Sequence, residues 1–173
     1  TIHLDEWMVK NYHYRETSKT SLLRMDNKTR PGIMLSFEQA QSLKKDGACM
    51  LRQFLTQDEL NEIRHGIDKD ISLDSPFKTE INGVEGAPML TNIWRKLEVE
   101  EFNCFCNSSK LVSLVSEVFA GRSFRFLQDT WFHRPESCSV AIPWHHDNIV
   151  EGDHYSIWIS LTEHGAGDSL HFV

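Results

Sequence analysis

The chain has 173 residues, of which 40% are hydrophobic and 25% charged, and its formal net charge is -7. The length fits one domain with a buried core, and the acidic balance argues against nucleic acid or an anionic membrane as a main partner, because both favour basic surfaces. No apolar run is long enough to span a bilayer, the first residues show no signal peptide and the cysteines form no CxxC pair, so we expect a cytoplasmic protein with reduced thiols.

The N-terminal part is predicted to be an irregular arm followed by two capped helices. Residues 1–35 show no sustained periodicity. Ser36-Phe37-Glu38-Gln39 is a capping box that opens a helix, and Gly47 is a natural stop for it. Ala48 to Phe54 indicates a short strand, and the second capping box, Thr56-Gln57-Asp58-Glu59, opens the next helix. Its apolar side chains recur at helical spacing: Leu60, Ile63, Ile67 and Ile71.

The rest of the chain changes from helix to short strands. Residues 72–107 indicate loop or a short hairpin, and a helix is predicted from Ser109 to Ala120. The predicted strands that follow are Phe124 to Phe126, Thr130 to Arg134, Val140 to His146, Tyr155 to Leu161 and Ser169 to Val173. Helices followed by short strands with turns indicate an α+β fold whose β part could be a jelly roll.

The segment Pro143-Trp144-His145-His146-Asp147 carries the strongest chemical signal. On a strand, residues i and i+2 point to the same face, so His145 and Asp147 would reach one metal ion together. An imidazole and a carboxylate are two of the three ligands in the facial triad that holds non-heme Fe(II). The motif alone has little specificity, because His3-Leu4-Asp5 in the predicted arm matches it as well. Its neighbours along the chain therefore decide how it is interpreted.

Those neighbours resemble the phytanoyl-CoA dioxygenase family from about residue 37 to the end of the chain. The most specific piece is W-H-x-D at Trp144 to Asp147, followed by the W-I-x-L strand at Trp158 to Leu161. The other matching pieces are Asp46-Gly47-Ala48, Phe54-Leu55-Thr56, Asp129 to Pro135 and Gly167 to Val173. The resemblance implies an Fe(II)- and 2-oxoglutarate-dependent oxygenase on a double-stranded β-helix, a cupin-like jelly roll, with flanking N-terminal helices.

The resemblance also implies roles for individual residues. His145 and Asp147 match the first two iron ligands of the family. Arg134 stands before a proline where the family often has a lysine that helps to hold 2-oxoglutarate, although Arg for Lys is not a neutral exchange. Trp158 matches a strand tryptophan near the cosubstrate, and a plain core aromatic is an equal alternative. His146 would point away from His145 and act as a structural residue or as a hydrogen-bond donor behind the metal ligands.

The match to the family pattern stops before the site is complete. His164 and His171 come too early for the distal histidine of the family, and its 2-oxoglutarate-binding arginine would also follow Val173. We therefore expect an irregular arm over 1–35 and an incomplete jelly-roll oxygenase domain over 36–173. Asp147 occupies the position where related halogenases have a small residue, so the resemblance favours hydroxylation.

The leading hypothesis is a non-heme iron dioxygenase that hydroxylates a small molecule with O₂ while it converts 2-oxoglutarate to succinate and CO₂. The alternative is a non-catalytic jelly-roll protein that binds a ligand, since a fold does not fix a function. A zinc module is a weaker alternative, because no third ligand at suitable spacing is present. The substrate and the oligomeric state do not follow from the sequence.

Overall fold

The computed structural model describes residues 6–12 as backbone, and 34–145, 154–162 and 170 in full. The elements in chain order are β1 (Glu6–Tyr12), α1 (Phe37–Asp46), β2 (Ala48–Arg52), α2 (Gln57–Ile71), β3 (Thr79–Ile81), β4 (Met89–Ile93), α3 (Glu100–Cys106), α4 (Ser109–Val118), β5 (Thr130–His133) and β6 (His154–Ile159). The described residues divide into two compact units, one up to Thr56 together with 154–162 and 170, and the other from Gln57 to 145. Each unit combines helix with antiparallel sheet, which confirms the α+β class.

The first unit is a three-stranded antiparallel sheet, in the order β2-β1-β6, with α1 packed beside it. The predicted capping box of α1 is confirmed: Ser36 Oγ accepts a hydrogen bond from the Gln39 N–H at 3.2 Å, and Gln39 Oε1 accepts one from the Ser36 N–H at 2.8 Å. Gly47 ends the helix at φ 75°, a left-handed conformation that suits glycine. Gln39 Nε2 also donates to Met50 O at 2.8 Å, which joins the helix to β2.

One strand of this sheet lies where the sequence predicted an irregular arm. β1 is the central strand, with Met8 opposite Met50 of β2 on one side and opposite Trp158 of β6 on the other. The prediction was wrong for Glu6–Tyr12, because the local pattern is weak and the strand is made by backbone hydrogen bonds to two distant partners.

The second unit consists of the helices α2, α3 and α4 and a second antiparallel sheet, with the strand order β3-β4-β5. α2 forms where it was predicted and buries Leu60, Ile63 and Ile67. It packs against α3 at Gly66, where a Cβ atom would lie 2.8 Å from the Phe102 ring. Lys110 Nζ of α4 lies 2.7 Å from Glu59 Oε2 of α2.

Residues 72–107 contain both the short hairpin β3–β4 and the helix α3, which the sequence did not indicate. Two predicted strands do not form: Phe124 to Phe126 is irregular, and so is the chain from Val140 to His145. Pro143 has no N–H to donate to a ladder, and the Ser139 hydroxyl before it accepts a hydrogen bond from the Glu85 N–H of a loop at 2.8 Å.

In the described part of the chain the strands make two sheets of three strands each, and a double-stranded β-helix is not seen there. A jelly-roll domain over 36–173 therefore stays a prediction. None of the helices among the described residues is long and apolar enough to cross a bilayer.

Candidate active site

His145 lies on the irregular segment that follows Val140 in the second unit. Its ring Nδ1 is 2.8 Å from the carbonyl oxygen of Pro143. Because a carbonyl oxygen can only accept, Nδ1 donates in this contact, and in the neutral ring the lone pair is then on Nε2. A metal-bound histidine commonly donates its other N–H to a backbone carbonyl in this way. The neutral ring would therefore bind a metal through Nε2, and both His145 and Trp144 are exposed.

Asp147 and His146 lie outside the described residues, so the pairing of His145 with Asp147 stays a prediction. The predicted strand is wrong at His145, which lies on an irregular segment. Among the residues that the structure describes, no group of three His, Cys, Asp or Glu side chains could hold a metal ion. An imidazole nitrogen such as that of His145 is a suitable ligand for iron. Asp147 stays the predicted carboxylate ligand beside it.

Arg134 follows directly after β5, whose last residue, His133, pairs with Leu90 of β4. Both His133 and Arg134 are exposed. Pro135 then begins a turn that is closed by a hydrogen bond from the Cys138 N–H to Pro135 O at 2.9 Å. This turn leads to Ser139 and onward to His145, so Arg134 and His145 lie on the two sides of one short connection. A solvent-exposed guanidinium is available to bind a carboxylate.

Trp158 belongs to the first unit, where it lies on β6 opposite Met8 and is half-buried. Both interpretations of this residue, a cosubstrate neighbour and a core aromatic, are compatible with that burial. Its role stays a prediction.

A buried polar cluster near the start of β5 was missed by the sequence analysis. The Asp70 carboxylate is fully buried and accepts hydrogen bonds from Arg95 Nε at 2.8 Å, Asn92 Nδ2 at 2.8 Å and Trp131 Nε1 at 2.9 Å. Ser75 Oγ donates to Asn92 Oδ1 at 3.0 Å. The cluster joins α2 to β4 and β5, so it holds the strand that Arg134 follows.

Asp129 closes the same end of β5. Its carboxylate accepts from the backbone N–H of Arg95 at 3.0 Å and of Lys96 at 3.2 Å, and its carbonyl accepts from the Trp94 N–H at 3.1 Å. These bonds hold Trp94 at φ 58°, a left-handed conformation that is uncommon for a large residue. Burial, and after it the Asp129 charge, raises the pKa of the nearby Cys106 thiol to about 11, so this thiol stays protonated at neutral pH.

Two shallow clefts accompany these elements in the second unit. One of about 410 Å³ is lined by Ile81 to Val84 and by Ser139 to Ala141. The other, of about 400 Å³, is lined by Trp94, Lys96, Leu97, Phe126, Leu127 and Asp129. The first cleft borders the segment that leads to His145.

Comparison with known protein families decides the affiliation. The family model for phytanoyl-CoA dioxygenase (PhyH) matches residues 43–165, well over half of the chain. The chain belongs to the phytanoyl-CoA dioxygenase family. No curated protein and no solved structure matches the sequence.

The region matched to the phytanoyl-CoA dioxygenase family includes every residue proposed for the site: Arg134, His145, Asp147 and Trp158. It begins within α1, so β1 lies outside it. The resemblance noted from the W-H-x-D and W-I-x-L segments is thus confirmed at the level of the family.

Proposed function

We propose that the protein is an Fe(II)- and 2-oxoglutarate-dependent dioxygenase that hydroxylates a small molecule, on a jelly roll of the cupin type. The observation that carries this proposal is the His145 ring, whose Nδ1 is hydrogen-bonded to Pro143 O so that Nε2 bears the lone pair. Membership of the phytanoyl-CoA dioxygenase family supports the reaction class. Asp147 is the proposed second ligand, as a carboxylate two residues after the histidine.

Each proposed residue has a defined task. His145 and Asp147 would hold Fe(II), and the Pro143 carbonyl would keep the imidazole in the metal-binding tautomer. The Arg134 guanidinium would help to hold 2-oxoglutarate, and Trp158 would lie beside the cosubstrate. Bound iron supplies the activation of O₂ by which 2-oxoglutarate becomes succinate and CO₂ and one oxygen atom is added to the substrate.

The proposal is tested by anaerobic titration of the full-length protein with Fe(II) and 2-oxoglutarate. We expect the weak visible charge-transfer band of iron-chelated 2-oxoglutarate in the wild type and no band in His145→Ala. His65→Ala is the matched control, because His65 is an exposed histidine on α2 that pairs with Glu101 at 3.1 Å. Arg134→Ala should keep the band but require about tenfold more 2-oxoglutarate, the effect of losing one charge-assisted contact of about 1.4 kcal/mol.

A missing band in the wild type at saturating Fe(II) and 2-oxoglutarate would contradict the oxygenase proposal and favour the non-catalytic jelly-roll protein. Where the band forms, release of succinate screened over a panel of small metabolites identifies the substrate. A band that persists in His145→Ala would show that the iron is held elsewhere.

A further inference from the structure

The turn between Arg134 and His145 is held by a loop from a distant part of the sequence, which we call the clasp loop (residues 82–87, between β3 and β4). Ser139 Oγ accepts a hydrogen bond from the Glu85 N–H at 2.8 Å and donates one to Glu85 O. Ser137 Oγ accepts a third bond, from the Ala87 N–H at 3.4 Å. One serine thus binds both backbone groups of Glu85, as a partner strand would.

Two glycines let the backbones of the clasp loop and the turn approach closely. Gly86 has φ 82°, and a Cβ atom there would lie 1.6 Å from Ser137 O. At Gly83 a Cβ atom would lie 2.5 Å from Ser139 Oγ and 2.8 Å from the Val140 backbone nitrogen. Neither position can take a larger residue without moving the turn, because the nearest atoms include backbone.

The contacts of the clasp loop are made with the part of the turn that comes shortly before His145, the proposed iron ligand. Val140 is buried, whereas every residue from Ala141 to His145 is exposed and none of them belongs to a helix or strand. On the other side of the turn, Arg134 is exposed directly after β5. Because the clasp loop holds Ser137 to Val140 in place, it also limits the positions that Arg134 and His145 can take.

We propose that Ser139 and Gly86 are positioning residues for the active site. Through them the clasp loop holds the turn between Arg134 and His145, and so fixes the positions of the residues that would bind 2-oxoglutarate and iron. The inference rests on the proposed function. Ser139 acts through His145 and Arg134 and does not itself touch the iron or the cosubstrate. Such supporting contacts commonly change metal affinity by about ten- to a hundredfold when they are lost.

The test compares variants of the clasp with matched controls in the full-length protein, and Fe(II) affinity is read from the charge-transfer titration. Gly86→Ala and Ser139→Ala should each weaken Fe(II) binding by about tenfold. Ser139→Thr, which keeps the hydroxyl group, should restore the wild-type affinity. Gly121→Ala is the control for the glycine, because Gly121 also has a positive φ of 74° but has no atom within 4 Å of a Cβ. Ser113→Ala on the exposed side of α4 is the control for the serine.

Thermal unfolding separates positioning from general damage. Ser139 is exposed, so Ser139→Ala should lower the unfolding midpoint by no more than about 2 °C while it weakens iron binding. If Gly86→Ala fails to fold, the Fe(II) affinities of Ser139→Ala and Ser139→Thr test the inference. Wild-type iron affinity in Ser139→Ala, with the band lost in His145→Ala, would overturn this inference alone. Absence of the band in the wild type would overturn the proposed function and this inference together.

Discussion

Near the start of β5, Asp129 and Trp131 make hydrogen bonds inside the second unit, whereas the polar side chains at its end are exposed to solvent. Trp131 reaches the buried Asp70 carboxylate, and Asp129 holds the backbone of Arg95. Past the other end of the strand, Arg134 is exposed and the chain turns without regular structure toward His145. The buried polar cluster around Asp70 thus lies at the end of β5 that is away from Arg134. A site held by a rigid scaffold but open to solvent is the arrangement that binding loops require.

The largest effect is expected from breaking the buried end at Asp70. Asp70→Asn removes the charge that pairs with the buried Arg95 guanidinium at 2.8 Å, and it turns an acceptor into a donor beside Trp131. Leaving a buried charge unpaired costs about 3–5 kcal/mol, so the free energy of unfolding should fall by that amount in urea denaturation. Asp68→Asn is the control, as Asp68 is exposed on the same helix. Equal stability of the two variants would mean that the cluster does not hold the sheet.

A smaller and cleaner contrast comes from two tryptophans. Trp131→Phe loses the indole N–H bond to Asp70 and some buried ring, so it should cost about 1–3 kcal/mol of unfolding free energy. Trp144→Phe changes a side chain that is 67% exposed beside His145, and its effect should stay within about 0.5 kcal/mol. Chemical denaturation measures both. If Trp144→Phe lowers the unfolding free energy as much as Trp131→Phe does, the start of β5 and the exposed chain beyond its end do not differ in stability.

The parts of the fold that sequence reasoning predicted are those with local signals. The capping box at Ser36 and the left-handed glycine at Gly47 define α1, and the apolar spacing from Leu60 to Ile67 defines α2. These signals act within one or two helical turns, so a single sequence displays them. β1 was missed because its strand character comes from pairing with β2 and β6, which are far away in the chain.

The same limit applies to the candidate site. His145 was found because the W-H-x-D segment carries its own chemistry, but its conformation was not: Val140 to His145 was predicted to be part of a strand and is irregular. Asp70 did leave a signal, since it stands on the buried face of α2 three residues after Ile67, where a carboxylate needs partners. Which residues supply those partners, Arg95 and Trp131, depends on contacts that no local pattern contains.

The last contrast is between two cysteines of α3 and concerns reactivity. Burial and the Asp129 charge raise the pKa of Cys106 to about 11 from an ordinary value of 9.0, whereas Cys104 is exposed. At pH 8 the thiolate fraction of Cys106 should therefore be about a hundredfold lower in the folded than in the unfolded chain, and its alkylation should be slower in the folded chain. Fragmentation mass spectrometry after iodoacetamide treatment distinguishes the two positions, and Cys104 should be labelled first.

The pH dependence follows from the direction of that shift. Because the folded-state pKa of Cys106 lies above the unfolded one, the neutral thiol contributes no differential stability below pH 9, where both states keep the proton. As the pH rises from 9 toward 11 the unfolded state ionises first, so stability is lost across that window. Cys106→Ser removes the thiol and should flatten this loss, and unfolding in urea should make both cysteines react alike. If the alkylation rate at Cys106 levels off near pH 9 in the folded protein, the pKa of this thiol is not raised. Neither burial nor the Asp129 charge would then act on Cys106.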